Sequence, residues 1–289
     1  MAKIISISNP KGGVGKTTTA INLGASLAIA EKSVLMIGMD PNGALSAGWG
    51  FEEGDIRAGI YEIFLGTCDC VDAIHHFDLP NLDLIPCNIF GHEQEIRLET
   101  MAKSRGLFKR KLDDLLVKGK AAYDFVIIDT PPSVNDLTIA ALYASNSVLI
   151  PLQTGYFALT VVKKLMTMIE RIKKGVNPDL EIEGILLNFY EKNTRASQRA
   201  VDETRELFGD LVFETIIPKN AAISYAAFER KPVALMDALA PGAIAYMALA
   251  DEILRKNIPE KWRIIFDDEA QQTESEQVQI PDLDWSPPA

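Results

Sequence analysis

The stretch Asn9-Pro10-Lys11-Gly12-Gly13-Val14-Gly15-Lys16-Thr17-Thr18 decides the fold. Before it runs Ile4-Ile5-Ser6-Ile7-Ser8, a short and mostly apolar segment of strand character. After it runs Ala20-Ile21-Asn22-Leu23-Gly24-Ala25-Ser26-Leu27-Ala28, which has the composition of a buried helix. A glycine-rich turn between a strand and a helix aims several backbone N–H groups at one point. The helix N-terminus adds a partial positive charge there. Such a turn is a phosphate cradle, so Gly12, Gly13, Val14, Gly15, Lys16, Thr17 and Thr18 are the expected phosphate-binding residues. Lys16 is expected to reach the outer phosphates and the Thr17 hydroxyl to hold Mg²⁺.

The loop departs from the ordinary P-loop in two ways. Pro10 stands where the spacing asks for a glycine five residues before Gly15, and a second lysine, Lys11, opens the loop. Two lysines exceed what one triphosphate needs, and the spare one suits a second subunit. The pattern resembles the deviant Walker A loop of the ParA/MinD class of P-loop ATPases. In that class the first lysine reaches across a dimer to the partner's nucleotide, and the resemblance implies that role for Lys11.

Working outward, strand-like runs recur at Ile4–Ser8, Val34–Met39, Leu82–Pro86, Phe125–Asp129, Val148–Leu152, Ile182–Asn188 and Phe213–Ile217. Amphipathic stretches lie between them, at about 16–30, 93–118, 134–145, 157–174, 195–208 and 241–256. Strands without polar alternation suit a parallel sheet buried on both faces. The predicted fold is therefore α/β: a doubly wound, mostly parallel sheet of P-loop NTPase type, with ligands at the carboxyl ends of the strands. One ATPase domain is expected over residues 1–258, followed by an acidic, disordered tail over 259–289.

Two strands end in carboxylates. Met36-Ile37-Gly38-Met39-Asp40-Pro41-Asn42 places Asp40 beside the loop, where it is expected to orient the attacking water. Relatives in the ParA class have Asp-x-Asp-Pro-Gln-Gly-Asn here, so Gly38, Asn42 and Ala44 are departures. Phe125-Val126-Ile127-Ile128-Asp129 resembles a Walker B strand, with Asp129 holding Mg²⁺ through water. Thr130-Pro131-Pro132-Ser133 matches the Asp-x-Pro-Pro-Ser segment of the class. The expected catalytic residues are thus Lys11, Lys16 and Asp40, and the metal residues Thr17 and Asp129. Asn188, ending a strand, and Pro218, in Ile216-Ile217-Pro218-Lys219-Asn220, are expected at the base. Composition does not separate ATP from GTP, so the choice of ATP with Mg²⁺ rests on the resemblance.

The resemblance covers about residues 2–256 and is nearest to the ParA/Soj-like partition ATPases. It implies an ATP-sandwich dimer of the chain with itself, sequence-independent DNA binding in the ATP state, and a ParB-like or cargo-adaptor partner that stimulates slow hydrolysis. The cargo is a plasmid, a chromosome or a large protein assembly. Lys192, Arg195, Arg199 and Lys219 are the expected DNA contacts, although Ala222 stands where an arginine is common. A second basic cluster comprises Lys163, Lys164, Arg171, Lys173 and Lys174.

Composition sets limits on these readings. The chain has 289 residues and a formal charge of −11, but residues 267–289 hold seven acids and no Lys or Arg. The remainder sets 29 basic residues against 33 acidic ones, leaving room for a local basic patch. No apolar run approaches the roughly 18–20 residues that span a bilayer. A strand starting at residue 3 leaves no room for a signal peptide or a helix-turn-helix extension, so a cytoplasmic protein is expected, and the resemblance implies association with the nucleoid in the ATP state.

Two other functional classes compete. A MinD-like membrane switch needs a basic amphipathic C-terminal helix; the short Lys261–Phe266 segment runs directly into Asp267-Asp268-Glu269. An electron donor of the nitrogenase iron-protein type needs cysteine thiolates at a dimer axis. Here Cys68, Cys70 and Cys87 all precede the Walker B strand.

Overall fold

The computed structural model describes residues 2–89, 91–104, 106–118, 122–153 and 158–257. Residues 1–250 form one compact unit, and 251–289 form a second, of which 251–257 are described as helix. The expected tail over 259–289, including Lys261–Phe266, lies outside the described residues.

Eight strands form one sheet: β1 (Lys3–Ile7), β2 (Val34–Gly38), β3 (His75–His76), β4 (Leu82–Ile85), β5 (Phe125–Asp129), β6 (Ser147–Gln153), β7 (Glu181–Tyr190) and β8 (Val212–Pro218). Their order across the sheet is β3-β4-β2-β5-β1-β6-β7-β8, and every pairing is parallel except β3 with β4. The chain leaves β1 toward β2 on one side and places β6 on the other, so the sheet is doubly wound about β1. That crossover point is where α/β sheets bind ligands.

The helices among the described residues are α1 (Lys16–Ile29), α2 (Ala44–Gly48), α3 (Ile60–Leu65), α4 (His92–Ala102), α5 (Gly106–Lys118), α6 (Asp136–Ala144), α7 (Ala158–Gly175), α8 (Arg195–Phe208), α9 (Ala221–Phe228), α10 (Val233–Met236) and α11 (Pro241–Asn257). Alternate strand residues go to opposite faces of the sheet. Ile4, Leu35, Ile37, Val126 and Ile128 share one core cluster with Phe108 and Leu112 of α5 and Leu137 and Ala141 of α6. On the other face α1 packs so closely that a Cβ on Gly24 would sit 2.8 Å from the Met36 sulfur. Beyond β6 a second cluster joins Val148, Ile150, Ile185 and Leu187 to Val162, Leu165 and Ile169 of α7. Burying each such aliphatic side chain stabilises the sheet by about 1.5–3 kcal/mol, and residues shielded on both faces explain the unbroken apolar runs.

The structure corrects several element boundaries. The stretch 93–118 is two helices, with a turn at Lys103 and Ser104 ahead of Gly106. The predicted helix over 134–145 begins at Asp136, because Asn135 caps it by accepting from the Thr138 N–H at 3.1 Å. The short elements β3, α2, α3, α9 and α10 add to the predicted set.

Candidate nucleotide and metal site

Register brings the site together. Ile7 of β1 and Gly38 of β2 both pair with Asp129 of β5, and the Met39 N–H donates to the Asp129 carbonyl at 2.9 Å. The carboxyl ends of three adjacent strands therefore lie level. The loop from Asn9 to Gly15, Asp40 and Asp129 all emerge at that level.

The loop is built on left-handed glycines. Gly13 has φ +73° and Gly15 has φ +90°, with Gly15 serving as N-cap of α1. A Cβ on Gly15 would also lie 2.8 Å from Asn188 Nδ2. Only glycine meets both demands without strain. Asn9 fixes the start of the loop. Its Nδ2 donates to the Pro151 carbonyl on β6 at 2.8 Å, and its Oδ1 accepts from the Lys11 N–H at 2.9 Å. Thr130 Oγ1 donates to the Ile7 carbonyl at 2.9 Å, tying the Walker B turn to β1.

Lys16 is nearly buried at 7% exposure, and its Nζ donates to the Lys11 carbonyl at 3.3 Å. Desolvation pulls its ammonium below the usual lysine value, while the negative charges of Asp129 and Asp40 oppose the shift. Thr17 Oγ1 donates to Asp129 Oδ2 at 2.7 Å. Asp129 is fully buried, and its Oδ1 has no hydrogen-bond partner among the described residues. Burial pushes its carboxyl up to about 7, the Thr17 hydrogen bond and Lys16 pull it down, and Asp40 pushes it up. A buried carboxylate oxygen without a partner costs free energy unless something cationic or a bound water meets it. The pair of a Thr hydroxyl and this oxygen fits Mg²⁺, which prefers oxygen ligands and keeps several waters.

Asp40 sits at the mouth of the site, 8% exposed. Its Oδ1 accepts from both the N–H and the side-chain amide of Asn42, each at 3.0 Å. Asn42, a departure from the family pattern, thus pins one carboxylate oxygen of Asp40. Gly38 lies behind it, where a Cβ would stand 3.3 Å from the backbone nitrogen of Cys87. Lys11 carries an exposed side chain, directed away from the protein interior.

A cleft beside the loop is lined by Gly15, Thr18, Asn188, Phe189, Pro218 and Tyr246, among others. Asn188 and Pro218 therefore come together as expected of base contacts. Asn188 has a second commitment that its position in the sequence did not reveal: its Nδ2 donates to the Val14 carbonyl at 2.9 Å. Only Oδ1, buried and without a partner among the described residues, is left over. Phe189 adopts φ +59°, a conformation costly for an aromatic residue.

Of the expected DNA residues, Lys219 lines this cleft, whereas Lys192, Arg195 and Arg199 lie on an exposed surface. Lys192 and Arg195 are exposed at the start of α8. Arg199 Nε pairs with Glu203 at 2.6 Å and Lys219 Nζ with Glu191 at 2.5 Å. Acidic neighbours thus share the charge of two of the four. Lys164, Arg171 and Lys174 are exposed on α7, and the Lys163 side chain lies outside the described ones. Among the described residues no helix is long and apolar enough to cross a membrane, and no group of three or more His, Cys, Asp or Glu is arranged to hold a metal.

The AAA_31 family, described as an AAA domain, matches residues 2–182. The sporulation initiation inhibitor protein Soj of Bacillus subtilis is 41% identical over 253 residues, covering 88% of this chain and 98% of that one. The chromosome partitioning protein ParA of Myxococcus xanthus is 40% identical, covering 91% of this chain and 92% of that one. Among solved structures, cobyrinic acid a,c-diamide synthase from Mycobacterium smegmatis, with a bound ATP analogue and magnesium, superposes with a TM-score of 0.74 at 29% identity. That match covers 88% of this chain and 95% of that one.

Proposed function

The chain belongs to the ParA/Soj-like partition ATPases, and on that premise we propose that it is an ATP-driven switch that dimerises, binds DNA without sequence preference in the ATP state, and releases it after hydrolysis. The observation that carries the reading is the convergence of Lys16, Thr17, Asp40 and Asp129 behind a left-handed glycine loop, with one buried Asp129 oxygen awaiting a partner. The chemical work divides among these residues. The Gly13–Thr18 amides and Lys16 hold the phosphates, and burial sharpens the Lys16 charge. Thr17, with Asp129 acting through water, would hold Mg²⁺, which supplies charge neutralisation on the outer phosphates. Asp40, pinned by Asn42, orients a water toward the γ-phosphate through its other oxygen. Asn188 and Pro218 border the base. Lys11, exposed on the loop, reaches the partner subunit's nucleotide. A ParB-like or adaptor protein stimulates turnover, and the protein acts in the cytoplasm on the nucleoid.

The DNA surface is the exposed basic face beginning at Lys192 and Arg195. Dimerisation doubles a weak phosphate-binding surface, so affinity follows the nucleotide state through effective concentration. The test is binding of Asp40→Ala protein to random-sequence duplexes with ATP or ADP, over a salt series. Tight, salt-sensitive binding with ATP alone is expected, weakened by the double variant Arg195→Glu/Arg199→Glu. Equal binding in both nucleotides, or none in either, contradicts the reading.

A further inference from the structure

A phosphate loop works only if its carbonyls turn away from the phosphates. The Val14 carbonyl is held by Asn188 Nδ2 at 2.9 Å. The same amide lies 3.4 Å from Thr19 Oγ1, and the Thr19 hydroxyl is hydrogen-bonded to the phenol of Tyr246. All three side chains are sealed from solvent, at 2% exposure for Asn188, none for Thr19 and 1% for Tyr246. The Asn188 amide also fills the space directly beneath Gly15, where a Cβ would lie 2.8 Å away. One line of polar contacts therefore joins α11, α1 and the end of β7 to the turn of the loop.

Packing does not explain this line. Phenylalanine would fill the Tyr246 position equally well, and burying a phenol costs desolvation unless it is bonded. Burial pushes the phenol up to about 12, so it keeps its proton at neutral pH. Thr19 could likewise be valine without loss of volume. What the hydroxyls add is direction: they fix the Asn188 amide so that its nitrogen faces Val14.

We propose that Tyr246 is a positioning residue for the phosphate loop, acting through Thr19 and Asn188 to hold the Val14 carbonyl back and the Gly15 and Lys16 amides forward. The inference rests on the nucleotide-binding reading above and adds to it a buried residue on the last helix, far from the loop in sequence. Loss of the strut loosens the loop before the nucleotide arrives, so binding weakens while the rest of the fold stands.

The test is a double-mutant cycle on the full chain, with Tyr246→Phe, Thr19→Val and both together, and Thr19→Ser as the conservative control. Affinity for Mg·ATP is titrated with a fluorescent ATP analogue, and the melting temperature is measured without nucleotide. Each single variant is expected to bind about five- to tenfold more weakly, the size of one lost hydrogen bond. The double variant is expected to be no more than about twofold worse than either single one, because the residues act in series. Thr19→Ser is expected to bind like wild type, and Tyr246→Phe to melt within a few degrees of wild type. Unchanged affinity in Tyr246→Phe, multiplying losses in the double variant, or a fall in affinity matched by a general fall in melting temperature would each overturn the strut. Wild-type protein that binds no better than Lys16→Ala would instead overturn the nucleotide reading itself, and the strut with it.

Discussion

Asp129 is a fully buried carboxyl held far above its ordinary value. A carboxyl raised to about 7 from an ordinary value of 3.8 binds its proton more tightly folded than unfolded. Its contribution to stability is therefore present below about pH 4 and is lost as pH rises toward 7. A rise of that size corresponds to an upper bound on the order of 4 kcal/mol. The neutral variant Asp129→Asn avoids this loss. In protein free of nucleotide and Mg²⁺ it should melt above wild type at pH 8, and the gap should narrow as pH falls and close near pH 4. A gap that is constant with pH would mean that Asp129 is not the strained group. Lys16, Thr17, Asp40 and Asp129 were legible in the sequence because their chemistry is tied to strand ends and loop positions a few residues apart. Asn9, Thr19 and Tyr246 were not. The partner of Asn9 lies 142 residues away, and the contact between Asn188 and Val14 spans 174. An isolated tyrosine on a helix carries no signal until the fold puts Thr19 beneath it.

At the scale of elements, the phosphate loop is a device for holding amides forward, and Gly15 is its tightest point. Gly15→Ala meets two obstacles at once: a left-handed φ of +90° and the Asn188 amide at 2.8 Å. Backbone strain of this kind costs about 1–3 kcal/mol, here spent in the loop that faces the ligand. Mg·ATP affinity, measured by the same fluorescence titration, should fall at least about tenfold, and the unliganded melting temperature should fall by a few degrees. Wild-type affinity would mean that the loop relaxes freely. The seven strands longer than two residues were legible because each carries a run of apolar residues, nearly unbroken in the central strands of the covered sheet and interrupted by Glu214 and Thr215 in the edge strand β8. The short helices α2, α3, α9 and α10 were not, since four to eight residues are too few to establish a helical period. The single stretch over 93–118 hid a break because both of its halves carry helical spacing.

For the whole molecule, the sheet order places the site at the crossover beside β1 with Lys11 exposed on its loop, while α8 sets Arg195, Arg199 and Arg205 against Asp202, Glu203 and Glu206. The doubly wound architecture was legible from the alternation of buried strands and amphipathic helices. How the charges proposed to face DNA are shared was not: Glu191 and Glu203 approach Lys219 and Arg199 only once β7, β8 and α8 are folded. The acidic run at 267–289 also makes net charge a poor guide to the surface that matters. The switch proposed above depends on self-association controlled by nucleotide. The most direct test is sedimentation velocity of Asp40→Ala protein with Mg²⁺ and either ATP or ADP. The account predicts a dimer, twice the 31.8 kDa chain, with ATP only, and a monomer when Lys11 is also changed to alanine. A monomer in both nucleotides, or a dimer indifferent to nucleotide and to Lys11, would contradict it.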